Sequence, residues 1–325
     1  ARFFHKLMSD ENLVTGDEPF ANLMTQGMVL AGTFYRVNAD GSTTYYFAED
    51  IDIDFNERGQ PIKAILKSDG QPVTIGKIEK MSKSKNNGVD PQLTIDKYGA
   101  DTVRLYTLFT APADQTLEWS DDALKGPYNF VKKVWRIATD HMQALTAANI
   151  SIDMLNSATL NTDGLSKEAK NLRRKTHETI AKIDSDLGDR LALNTPVSSL
   201  MELANELTSN EQELHVKHEA LTNLLIMLSV YAPHVGEHLL EQLGLDTLTL
   251  DYPTVDESAL VQDMITMVVQ VNGKMRGKMD VAPNSDPEQL KEQARTMESV
   301  AKFITGEIKK EIVVPNKLVN IVVVG

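Results

Sequence analysis

The sequence predicts a multidomain α/β plus α protein: the end of an α/β domain with a small β-rich insert, an antiparallel helix bundle, and a small α+β C-terminal domain. Three observations lead there. Short alternating runs broken by Gly-containing pairs fill the first part, apolar residues at helical spacing dominate the middle, and strict alternation around an Asn-Gly pair returns near the end. With 325 residues, 42% of them hydrophobic and 24% charged, the chain is long enough for two or three domains that each bury a core. Cysteine is absent, which excludes disulfides and thiolate-ligated zinc and leaves His, Asp and Glu as metal ligands. No metal site is expected. The net charge is −13, but residues 262–325 hold nine Lys or Arg against eight Asp or Glu, so the first 261 residues carry the whole acidic excess. Contact with nucleic acid must therefore come from local basic faces. No apolar run approaches the roughly 18 residues that cross a bilayer, so no membrane segment is expected. The start, Ala1 to Lys6, lacks the pattern of a secretory signal and reads as a cut edge.

Residues 1–32 open with a short amphipathic segment, and Met24 to Leu30 fit a buried parallel strand, with a helix left open as the alternative. From Thr33 to Glu79, runs such as Phe34-Tyr35-Arg36-Val37 and Tyr45-Tyr46-Phe47 are separated by Asp40-Gly41, Arg58-Gly59 and Asp69-Gly70, which predict hairpins and a small antiparallel insert. Asp90-Pro91 marks a helix start, and a helix through Ala100 to Phe109 stops before Pro112. Val131, Val134, Trp135, Ala138, Met142 and Leu145 recur at helical spacing, as do Leu172, Thr176, Ile180, Ile183 and Leu187. Further helices over Leu191 to Leu207, Leu214 to Val230 and Pro233 to Leu243 complete an antiparallel bundle across residues 120–250. Near the end, Met267, Val269 and Val271 face Met275, Gly277, Met279 and Val281 across the Asn272-Gly273 turn of a hairpin. Asp286-Pro287-Glu288-Gln289 caps a helix to about Ile304, and strands at Glu311 to Val314 and Leu318 to Val324 close the chain.

The stretch from Glu79 to Pro91 sets three lysines among small, turn-forming residues. A flexible ammonium on a long stem can approach a triphosphate and follow charge as it develops, and preorganised donors of this kind are typically worth about 3 kcal/mol each in a transition state. The role such a loop suits is phosphate stabilisation during attack at an α-phosphate, not proton transfer. For an arbitrary Lys-rich pentamer a solvated basic loop is the ordinary reading.

The string itself changes that. Lys80-Met81-Ser82-Lys83-Ser84 matches the second signature of class I aminoacyl-tRNA synthetases, and Gln26 to Leu30, Asn86 to Pro91, Tyr98 to Arg104, Thr116 to Trp119 and Val269 to Lys274 resemble segments of the bacterial-type leucyl-tRNA synthetases. The resemblance covers essentially the whole chain, as a C-terminal part. It implies that residues 1–32 and 80–118 are the end of a Rossmann-type catalytic domain, 33–79 a leucine-specific insertion, 119–261 an anticodon-binding-type bundle, and 262–325 a tRNA-binding domain. It implies ATP binding by Lys80, Met81, Ser82, Lys83 and Ser84, with Lys83 and Lys80 catalytic, ATP with Mg2+ as cosubstrate, and leucine and tRNA(Leu) as partners. A cytoplasmic monomer is expected. The family's His-Ile-Gly-His signature and its editing domain are missing, so this chain is not expected to activate leucine alone. A non-catalytic tRNA-binding module and a valyl- or isoleucyl-type synthetase are the alternatives.

Lys274, Arg276 and Lys278 alternate with apolar residues, which places them on one strand face about 6.7 Å apart per step, a spacing close to that of successive phosphates. A tRNA backbone contact and a charge-protected edge strand both stay open. His234-Val235-Gly236-Glu237-His238 fits a zinc-peptidase pattern, but so short a match is better explained by helix packing. His215 and His218 read as solvated, and Trp119 and Trp135 as core anchors.

Overall fold

The computed structural model describes residues 1–57, 60–157, 160–209, 213–261 and 265–324. The chain forms two compact units, Ala1–Val255 and Asp256–Gly325. The expected Arg58-Gly59 turn lies outside the described residues.

The first unit opens with helix α1 (Arg2–Asp10). Strand β1 is confined to Val29–Ala31, shorter than the Met24 to Leu30 reading, because its partners are only two residues long. It pairs antiparallel with β7 (Glu79–Lys80) and parallel with β8 (Leu117–Glu118). Between β1 and β7 lies the antiparallel insert. Strands β2 (Phe34–Val37), β3 (Thr43–Tyr46) and β6 (Thr74–Ile75) make one sheet, and β4 (Ile51–Phe55) and β5 (Pro61–Leu66) a hairpin. Their inward residues, Phe34, Ile51, Ala64, Leu66 and Val73, form a core of their own. Arg36 ties the Asp69-Gly70 turn to β2, donating to the Asp69 carboxylate and to the carbonyls of Gln71 and Pro72.

Helices α2 (Pro91–Tyr98) and α3 (Ala100–Thr110) lead to the bundle, made of α4 (Lys125–Ala147), α5 (Ile152–Ser157), α6 (Lys167–Gly188), α7 (Thr195–Ser209), α8 (Leu214–Ser229) and α9 (Pro233–Gln242). Asp90 starts α2 as expected, accepting a hydrogen bond from Gln92 N at 2.8 Å. The bundle core gathers Leu172, Ile180, Ile183, Leu200, Leu203, Leu221, Leu224 and Leu228. On α4 the buried stripe runs through Phe130, Val134, Ile137, Ala138, His141 and Leu145; Val134, Ala138 and Leu145 are those read off the sequence, Val131 and Met142 pack partly buried against the core, and Trp135 falls outside it. Trp135 is consequently 44% exposed and is not a core anchor; its ring stacks on His238, with centroids 5.2 Å apart. Trp119 is partly buried, meeting Tyr106 edge to face.

His218 is not solvated but buried, beside His141. His141 Nε2 and His218 Nδ1 lie 3.2 Å apart, and His218 Nε2 is 2.9 Å from Asn156 Oδ1. A donor at His218 Nε2 makes its Nδ1 the acceptor, so the His141 Nε2 proton points inward and His141 Nδ1 is left without a partner. With nothing to stabilise a second proton, burial and then the neighbouring His218 push the His141 pKa down to about 4.

The second unit contains α10 (Glu257–Leu260), β9 (Ile265–Val271), β10 (Lys274–Val281), α11 (Pro287–Thr296), α12 (Glu298–Ala301), β11 (Glu307–Val314) and β12 (Leu318–Val324). Its sheet has the order β10-β9-β12-β11, with β12 parallel to β9. Met267, Val269, Val271, Met279, Val281, Val319 and Ile321 pack on Leu290, Ala294 and Val300 of the helices. Asp286 caps α11 through Glu288 N and Gln289 N. The helix expected to reach Ile304 breaks at Met297, whose ψ of 123° is extended.

The hairpin turn forms at Asn272-Gly273, with φ of 51° and 75° suited to a type I′ turn. The ladder beyond it departs from simple alternation. A bulge between Met275 and Gly277 shifts the register, so that Lys274 pairs with Val271 and Lys278 with Val268. Val271 lies in the core whereas Val268 is on the opposite face, so Lys274, Arg276 and Lys278 do not share one face. Met275 leaves its expected register too and is 60% exposed. Gly277, beside the bulge, leaves room for the start of α12: a Cβ there would sit 2.9 Å from Ser299 Oγ and 3.0 Å from Met297 Cε.

Candidate functional site

The Lys-rich loop leaves β7 at Lys80 and returns at Asn87, and both ends are fixed to the β1–β7 ladder. Met81 N donates to Val29 O at 3.2 Å, one step beyond the Leu30–Lys80 pair. Lys83–Lys85 form a single 3-10 turn closed by Asn86, whose φ of 48° is the left-handed conformation that asparagine tolerates better than most residues. The Ser82 and Ser84 hydroxyls meet across the turn at 2.8 Å. Asn86 Nδ2 donates to the carbonyl of Tyr45 at 2.9 Å, a contact that reaches from the loop into the insert.

The loop's interior is organised by a residue that sequence reasoning passed over. Asn87 is only 5% exposed. Its Oδ1 accepts from Ser82 N at 2.8 Å, while its Nδ2 faces the carbonyls of Ala31, Lys80 and Glu79 at 3.3, 3.3 and 3.4 Å. The signal available was its place in Asn86-Asn87-Gly88, where two adjacent Asn imply side chains that satisfy backbone groups. No spacing in the sequence points to Ala31, 56 residues away.

The three lysines of the loop divide. Lys85 forms an ion pair with Glu79, the carboxylate at its base. The Lys80 and Lys83 side chains are exposed and, among the described residues, neither ammonium has a hydrogen-bond or ion-pair partner. Two cations therefore project from a base that is fixed by backbone bonds. Such an arrangement receives a polyanion without first breaking an internal pair.

The Tyr98 to Arg104 segment, from the end of α2 into α3, carries residues whose neighbours the sequence did not reveal. Asp101, nearly buried, accepts from His234 Nδ1 at 2.8 Å and from Val235 N at 2.7 Å, capping the start of α9. Arg104 reaches the carbonyls of Tyr231 and Val230 at 3.3 and 3.4 Å. The histidines of the zinc-peptidase-like string thus have separate partners, His234 on Asp101 and His238 on Trp135. Among the described residues no group of three or more His, Asp or Glu is placed to hold a metal ion.

In the terminal hairpin the three basic side chains occupy two settings. Lys274 and Lys278 are exposed, while Arg276 lies over the Phe303 ring with its guanidinium carbon 3.8 Å from the centroid. That stacking supplies packing and a cation–π attraction and removes Arg276 from the free positive surface.

Residues 57–120 match the family of class I tRNA synthetases for I, L, M and V, and residues 169–293 match the anticodon-binding domain of tRNA ligases. Over its whole length the chain is 88% identical to a leucine-tRNA ligase of Psychrobacter cryohalolentis and 86% identical to that of Psychrobacter arcticus. The chain matches a C-terminal part of leucine-tRNA ligases. It spans 36% of the length of those two ligases, as a C-terminal part, and 36% of an Acinetobacter baylyi ligase to which it is 48% identical over 99% of its residues. A LeuRS of Agrobacterium radiobacter, solved as a ternary complex with tRNA and LeuAMS, has the same fold: the TM-score is 0.67 at 23% identity, covering 100% of this chain and 36% of that one.

Proposed function

We propose that this chain supplies the signature-loop side of the ATP site, the tRNA-facing bundle and the terminal tRNA contact of a leucine-tRNA ligase. The loop carries the reading, because it holds Lys80 and Lys83 unpaired on an anchored base. Attack by the leucine carboxylate on the α-phosphate of ATP builds negative charge on the phosphate oxygens and releases pyrophosphate. The Lys83 ammonium meets that charge, with Lys80 beside the entry strand and Met81, Ser82 and Ser84 shaping the turn. Neither lysine transfers a proton. Mg2+ arrives with the triphosphate, in keeping with its preference for phosphate oxygens and water over dedicated protein cages. The leucyl group then passes to tRNA(Leu), positioned on the bundle of residues 119–261 and on the terminal unit through Lys278, with Arg276 supporting the strand and Lys274 on its other face. Residues 33–79 act as the leucine-specific insertion within the catalytic segments 1–32 and 80–118. Among the described residues no helix is long and apolar enough to cross a membrane. The proposed activity is that of a cytoplasmic monomer.

The test is amino-acid-dependent exchange of pyrophosphate into ATP by the full-length ligase that contains this segment. Leucine is expected to support exchange at least about 100-fold better than valine or isoleucine. Equal rates with isoleucine, or none with leucine, would overturn the assignment.

A further inference from the structure

We propose that Asn87 is the positioning residue that fixes where Lys83 is delivered, a role that rests on the loop's assignment to ATP chemistry. Four backbone groups converge on this one carboxamide, from the start of the loop (Ser82 N), the strand leading into it (Glu79 O and Lys80 O) and the neighbouring strand β1 (Ala31 O). The side chain bridges the two ends of a six-residue loop, Ser82 to Asn87, and pins the join to the sheet. It is nearly fully buried, so water cannot replace it without opening the site.

The chemistry required is narrow. One end of the group must accept from an N–H and the other must donate into a cluster of carbonyls, which a carboxamide alone does among side chains of this length. Aspartate would turn a negative oxygen toward those carbonyls, and alanine would leave Ser82 N without its acceptor. Asn86 on Tyr45 and Lys85 on Glu79 hold the back of the same loop, so movement is left chiefly to the Lys83 side chain. Asn87 touches neither phosphate nor leucine in this account. It acts through Lys83, and its loss should change the rate of the chemical step more than the binding of leucine.

Asn87→Ala, Asn87→Asp, Lys83→Ala and the double variant Asn87→Ala/Lys83→Ala are compared with wild type in the full-length ligase by leucine-dependent pyrophosphate exchange and thermal melting. An Asn87 variant that fails to fold is replaced by Asn87→Ser, which retains a hydroxyl for Ser82 N. Misplacing a catalytic group by about 1 Å costs on the order of 100-fold, so each Asn87 variant should lose about that in kcat while the KM for leucine stays within about threefold. In the Lys83→Ala background the same change should cost under about threefold, since there is no ammonium left to aim. Exchange within about threefold of wild type in folded Asn87 variants, or losses that multiply in the double variant, would overturn the positioning role alone. A wild-type ligase without leucine-dependent exchange would overturn the functional reading together with it.

Discussion

Two short stretches of this chain each carry three basic residues, Lys80, Lys83 and Lys85 in the signature loop and Lys274, Arg276 and Lys278 in the terminal hairpin, and they present their charge in opposite ways. In the loop the backbone is held from within by Asn87 and Lys85 is paired with Glu79, so among the described residues two cations remain outward and unpaired. In the hairpin a bulge rotates the row, sending Lys274 and Lys278 to different faces while Arg276 lies on Phe303. Regular spacing thus produced scattered charge, and irregular spacing produced concentrated charge. What decides the outcome is how the backbone beneath the side chains is anchored.

The largest test of that contrast is within the loop itself. Lys83→Ala is expected to lower kcat for pyrophosphate exchange by about 100- to 1000-fold, the scale of a lost transition-state donor. Lys85→Ala, which removes a part-exposed ion pair, should cost less than about fivefold. Equal losses in the two variants would show that the loop acts as undivided positive charge.

A buried base offers the next effect in size. The His141 pKa is held at about 4 in the folded chain against 6.5 ordinarily, so as pH falls the unfolded chain takes up its proton first. The stabilising preference for the neutral ring is complete above pH 6.5 and is lost on the way down to pH 4. Urea unfolding should therefore show about 2 kcal/mol lost between pH 7 and pH 5 through this residue, at about 1.4 kcal/mol per pH unit. The slope should flatten in His141→Gln; an unchanged slope would assign the acid sensitivity to other groups.

Smaller effects test the hairpin. Gly277→Ala should destabilise the terminal unit by about 1 kcal/mol, because the new methyl meets Ser299, Met297 and Val300, of which the first two can give way. Thermal melting resolved for that unit measures it. Lys278→Ala should reduce the slope of log affinity for tRNA against log salt by about one, with Lys274→Ala leaving it nearly unchanged, since a single RNA backbone follows one face. Equal reductions would mean that the RNA bends around the edge of the hairpin.

Much of the fold was legible because it depends on local patterns. The periodicity of Leu172, Thr176, Ile180 and Ile183 places them in the bundle core, Asp90 and Asp286 cap the helices they precede, and Asn272-Gly273 turns the hairpin. The signature loop was legible as a string of letters. What escaped depends on contacts far along the chain. Asn87 earns its place through Ala31, Asp101 through His234, and Gly277 through the α12 residues that pack on it. His218 and Trp135 were misjudged: the bundle buries the His218 imidazole, which finds a partner in His141, and leaves the Trp135 indole outside.

The closure of the loop by a single carboxamide also has a metric consequence. A noose tied at Ser82 and Asn87 has a fixed perimeter, taken up by the 3-10 turn and the left-handed Asn86. Side chains along it can vary so long as the number of links does not. One residue more or fewer would leave the knot unable to close, however well the lysines themselves were preserved.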